Sequence, residues 1–206
     1  MDDLAYLVYE ADNIAAGADR RDKADGKETF SFDPSICLEN VFNVFEGTKK
    51  EEKSYFPLKE LNAREEPNYP VRNPSLVATP GKYQTIVNDL KANFQRKVPQ
   101  DMEPDELLRI LEDTVSFVPS STDRNQVADI SLYDHVKMTA AIGTSLFRYL
   151  ESQGNYDYKD YCFTHGKDHR REKNMLFISG DFSGIQKFIY RVPTKGAMRM
   201  LLSLIH

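Results

Sequence analysis

Residues 179–184, Ser-Gly-Asp-Phe-Ser-Gly, place a carboxylate (Asp181), a hydroxyl (Ser183) and two glycines (Gly180, Gly184) side by side. The run before them, Met175 to Ile178, is unbroken apolar sequence, the mark of a strand buried on both faces. After them Ile185, Phe188 and Ile189 recur at i, i+3, i+4, one face of a helix that Ser183 or Asp181 can cap. Such a strand-to-helix corner suits a triphosphate and its metal. Glycine lets the backbone come close, and a helix N-terminus attracts anions. A capped β-α unit with no ligand has the same sequence, and both readings stand on these residues alone.

Two further groups could do chemistry. Asp12 lies beside the apolar face formed by Leu4, Leu7, Val8, Ala11, Ile14 and Ala15. A carboxylate there is costly unless it is paired, with Arg20 or Arg21 for example, or bound to a metal. Cys162, His165 and His169 have a faintly zinc-like spacing but lack a fourth ligand. The cations among them, Lys167, Arg170, Arg171 and Lys173, either meet RNA phosphates or belong to a solvated loop.

The elements that must position these groups are mostly helical. Periodicity predicts helices over 3–21, 83–97 and about 104–118. In the second, Ile86, Val87, Leu90 and Phe94 point inward; the third opens on Pro104 with Asp105 and Glu106 in its first turn. A longer helix, capped by Ser131, ends near Leu150, and its small residues Ala140, Ala141 and Gly143 predict close packing on another helix. Residues 37–45 and 53–58 read as the strands of a β-hairpin. Four prolines between 62 and 80 mark an extended connection, and 151–173 reads as a polar linker.

Composition sets the outer limits. The 206 residues are 40% apolar and 29% charged, ordinary for a soluble protein. The net charge of −5 excludes a chain coated for non-specific nucleic-acid binding, so such contacts must be local. No run approaches the roughly 20 apolar residues of a membrane span. Two cysteines, Cys37 and Cys162, make no disulfide framework, which points to a reducing cytoplasm.

Three stretches resemble one family in sequence order. They are Tyr9 to Ala15, Ile130 to Ile142, and Gly180 to Tyr190. Together they are similar to the large subunit of type III-A CRISPR effector complexes, in which an HD-type nuclease domain is followed by two nucleotide-cyclase-like palms. The resemblance implies an α+β chain: a partial, permuted, HD-like helical domain over 1–150, the linker 151–173, and from 174 the first strand and helix of a ferredoxin-like palm. It implies Asp12 and His135 as metal ligands, with Mn, Ni or Mg activating water against a phosphodiester. On its helix, His135 is also read as a hydrogen-bonded structural residue. Asp181, Ser183 and Gly184 would lie near ATP.

The resemblance also implies a function in antiviral defence: cleavage of single-stranded DNA, and synthesis of cyclic oligoadenylates when a crRNA-guided complex binds target RNA. Partners would be the other complex subunits, crRNA, target RNA and single-stranded DNA, with no membrane. The family's adjacent His-Asp pair and its Gly-Gly-Asp-Asp motif are missing from the sequence. The expectation is therefore a piece incomplete at both ends, its palm unfinished, binding neither metal nor ATP and inactive alone. The alternative is a non-catalytic scaffold piece that docks on neighbouring subunits or RNA.

Overall fold

A computed structural model describes residues 4–22, 31–45, 52–61, 69–72, 78–96 and 101–180. The chain divides into two compact units, 1–174 and 175–206. The first is built on four helices: α1 (Leu4–Asp19), α2 (Pro80–Arg96), α3 (Pro104–Val115) and α4 (Leu132–Ser152). A π-helical turn (Asp160–Thr164) and a one-turn helix, α5 (Gly166–His169), follow.

The helix boundaries have local causes. Ser131 caps α4 by accepting from the Asp134 N–H at 3.0 Å, and its own hydroxyl donates to Asp134 Oδ2 at 2.7 Å. In α3, Pro104 opens the helix, where a missing N–H is harmless, and Asp105 and Glu106 face the positive end of the helix dipole. Small residues set the approach of α1 to α4. Ala11 and Ala15 are fully buried, and a Cβ placed on Gly143 would lie 3.5 Å from both the Ala11 Cβ and Leu7 Cδ2. The two helices therefore meet almost backbone to backbone over this turn. Ala140 and Ala141, expected at the same contact, are exposed.

Two apolar clusters fill the unit. Leu7, Leu146, Leu150, Tyr158, Tyr161 and Cys162 form one; Cys37, Leu58, Ala78, Ile86, Val115, Val118 and Tyr133 form the other. Helix α4 contributes its first turn to the second cluster and its last turns to the first. His135 lies in that first turn.

Several sequence expectations change. Val41–Val44, expected as strand, is a 3-10 turn, because the Asn40 side chain accepts from the Phe42 N–H and curls the backbone. The expected hairpin is reduced to isolated antiparallel bridges, Glu39 with Tyr55 and Tyr55 with Val71, and no strand occurs among the described residues. Leu4, Val8 and Val87, expected inward, are exposed, since the contact faces of their helices are narrower than the apolar stripes. The polar linker is largely folded: Tyr158, Tyr161 and Cys162 bury against Leu7, while the Tyr161 hydroxyl donates to Glu172 at 2.8 Å. In the second unit only 175–180 is described, without helix or strand. Leu176, Phe177 and Ile178 are 79–83% exposed, so the expected two-sided burial is not formed. A strand needs a neighbour for its backbone groups, and none is present among the described residues.

Candidate functional site

The site lies where α1 and α4 meet. Asp12 and Asp19 are separated by two helical turns on α1, so both carboxylates project from the same side. His135 of α4 enters between them. Its Nδ1 is 2.7 Å from Asp19 Oδ2 and its Nε2 is 2.9 Å from Asp12 Oδ1. The His135 and Asp19 side chains are 14% and 17% exposed, whereas Asp12 is 57% exposed. Burial by itself would lower the imidazole pKa, but hydrogen bonds to Asp12 and Asp19, with their charges, raise it above its ordinary value. Both ring nitrogens thus face a carboxylate oxygen at hydrogen-bond distance.

A cleft of about 430 Å³ opens beside this triad, lined by Asp12, Asp19, His135, Arg20, Ser121 and Asp123 among others. Its far wall is the loop between α3 and α4, fixed at several points. Val127 N–H donates to Arg21 O at 2.9 Å, and Arg124 N–H to Ser31 O at 2.8 Å. Arg124 also grips Asp33 Oδ2 through Nε and Nη2, at 3.0 and 2.8 Å. Hydrogen bonds from Ser35, then the Arg124 contact, lower the Asp33 pKa to about 2. Asp123 caps its own turn, accepting from the Asn125 N–H at 3.0 Å.

Nε2 of His135 and Oδ1 of Asp12 are close enough for one ion to contact both, and both residues border the cleft. They fit as two donors of a metal site. No group of three or more His, Cys, Asp or Glu side chains with metal-holding geometry occurs among the described residues. Asp12 meets His135, and Arg21 pairs with Asp129 instead.

The structure thus brings Asp12 and His135 together and adds Asp19, to which sequence reading gave no role. The usable signal was its spacing of seven from Asp12. Asp181, Ser183 and Gly184 lie outside the described residues. Of the four cations considered for nucleic acid, Arg170 is committed: its Nε and Nη2 donate to Glu10 Oε1 and Oε2 at 2.6 and 2.7 Å. Lys167, Arg171 and Lys173 are exposed. Cys162, His165 and His169 do not converge; His165 pairs with Asp160 and His169 with Glu172, each at 2.8 Å. No helix among the described residues is long and apolar enough to cross a membrane.

The site is a histidine held between two carboxylates where two helices pack. Comparison with known proteins gives the family. The family model described as Csm1 subunit domain B matches residues 174–203. The chain is 40% identical over 200 residues to the "CRISPR system single-strand-specific deoxyribonuclease Cas10/Csm1 (subtype III-A)" of Mycobacterium tuberculosis, covering 96% of this chain and 24% of that protein. It is 36% identical over 204 residues to the protein of the same description from Streptococcus thermophilus, covering 97% and 26%.

Among solved structures, a Csm1-Csm4 cassette in complex with cA3 matches with a TM-score of 0.57 and 30% identity, over 92% of this chain and 21% of that one. Csm1 of T. onnurineus matches with a TM-score of 0.53 and 26% identity, over 95% and 22%. Over nearly its whole length the chain is thus similar to one segment of Cas10/Csm1 proteins of CRISPR subtype III-A, and it spans about a quarter of the length of the curated relatives it matches.

Proposed function

We propose that this chain contributes part of the metal site of a single-strand-specific DNA nuclease, with Asp12 and His135 as ligands of a divalent ion such as Mn, Ni or Mg. One observation carries the proposal: the 2.9 Å meeting of Asp12 with His135 across α1 and α4, at the edge of an open cleft. The ion, when bound, would polarise water against a phosphodiester. Two donors bind such an ion weakly, so the remaining ligands come from elsewhere in the complete subunit. Residues 1–150 act as the partial HD-like region with a short hairpin-like excursion, and 174–206 as the start of the first palm, where Asp181, Ser183 and Gly184 approach a nucleotide.

Support for the nucleotide part comes from the matched cassette, whose crystal structure contains cA3. Partners under this reading are the neighbouring subunits, crRNA and target RNA, in a cytoplasmic antiviral complex. The test places Asp12→Ala and His135→Ala in a full-length type III-A large subunit carrying this segment. Expected is loss of manganese-dependent cleavage of single-stranded DNA with cyclic oligoadenylate synthesis retained. Unchanged cleavage overturns the reading.

A second reading, a non-catalytic piece docking on other subunits, is favoured by the exposed rings of Phe42 and Phe45 and by the exposed cations Lys167, Arg171 and Lys173. Under it, the same substitutions leave cleavage intact, and Phe42→Ser weakens assembly.

A further inference from the structure

The two carboxylates on His135 are not equivalent. A neutral imidazole carries one N–H and one lone pair, while a carboxylate only accepts. With the ring neutral, one of the two contacts must therefore be given up. Asp12, 57% exposed, can turn its carboxylate into water. Asp19, 17% exposed, has less water to turn to, and a desolvated carboxylate without a donor is the costlier loss. The proton accordingly stays on Nδ1.

We propose that Asp19 is a positioning residue, fixing His135 in the Nδ1–H tautomer so that the Nε2 lone pair opens toward Asp12 and the cleft to receive a divalent cation. The 2.7 Å contact also fixes the plane of the ring, and a carboxylate behind an imidazole makes the opposite nitrogen a more basic ligand. This deepens the metal-site reading and rests on it for the cation, but the tautomer can be measured without any metal.

The experiment uses long-range proton–nitrogen NMR correlations of the ¹⁵N-labelled chain at about pH 9, above the imidazole titration range. The chain has four histidines, and His135→Gln identifies the signals of His135. Expected in the unsubstituted chain is a protonated Nδ1 and a bare Nε2. Asp19→Ala should move the proton to Nε2, where Asp12 remains as acceptor, and Asp12→Ala should leave it on Nδ1. Titration with manganese should broaden the His135 signals first, and Asp19→Ala should weaken this binding about 10- to 100-fold.

An Nε2–H tautomer in the unsubstituted chain, or an unmoved proton in Asp19→Ala, overturns the proposal. Should Asp19→Ala not fold, the unsubstituted chain and Asp12→Ala still decide the tautomer. If manganese spares His135 while the tautomers behave as stated, the metal reading fails and the positioning role of Asp19 stands.

Discussion

Glu10 and Arg170, 160 residues apart in the chain, are joined by a two-pronged ion pair that fastens the residue capping the C-terminus of α5 to α1. The Glu10 side chain is 5% exposed and that of Arg170 48%. Arg170→Ala would strand a buried carboxylate, and it should destabilise the first unit by about 2–3 kcal/mol, water at the half-open side moderating the loss. Glu10→Gln keeps an acceptor and should cost about 1 kcal/mol. Urea denaturation followed by circular dichroism measures both. Equal, negligible effects would show the pair to be idle.

Gly143 faces Ala11 and Leu7 where α1 and α4 pack. At 3.5 Å an added methyl makes ordinary contact, and alanine outperforms glycine within a helix by about 1 kcal/mol, so Gly143→Ala should hold or raise stability. Gly143→Leu must push the helices apart, costing about 1–3 kcal/mol. It should also loosen the contacts of His135 with Asp12 and Asp19. Thermal melting and the NMR shifts of His135 report the two effects separately.

The raised pKa of His135 makes the stability of the cation-free chain fall as pH rises. In the unfolded chain the imidazole titrates near 6.5, about its ordinary value. Below that pH the stabilisation from the two carboxylates is fully present; it is lost as pH climbs through the higher folded value. With chelator present, the stability advantage of the unsubstituted chain over His135→Gln should be largest near pH 6 and should shrink as pH rises above it. An advantage that grows with pH contradicts the assignment.

Leu176, Phe177 and Ile178 present a β-prone apolar segment to solvent. Segments of this kind associate edge to edge. Phe177→Lys should reduce concentration-dependent self-association in light scattering, with melting of the first unit unchanged.

How far the sequence revealed this arrangement depended on how local each signal was. The cap at Ser131, the Pro104 start and the close-packing glycine of α4 were readable because a neighbour within a turn or a small side chain decides each. The Val41–Val44 turn was not, since its aromatic and β-branched residues favour strand while one side chain, Asn40, imposes the curl. At the site, Asp12 and His135 stood out through resemblance. Asp19 did not, because its role depends on a histidine more than a hundred residues away. The commitment of Arg170 to Glu10 was hidden for the same reason: a basic run reads as solvated until its distant acid is known.

The separation of the site's parts along the chain governs how the protein can be dissected. Asp12 and His135 are 123 positions apart, and Asp19 and His135 are 116. A shortened piece that begins after α1 can keep the Cys37–Tyr133 cluster, yet its imidazole is left without either acid. A piece that stops before α4 has two acids and nothing to clasp. The triad therefore needs both ends of this long span, and its formation reports that α1 and α4 have docked.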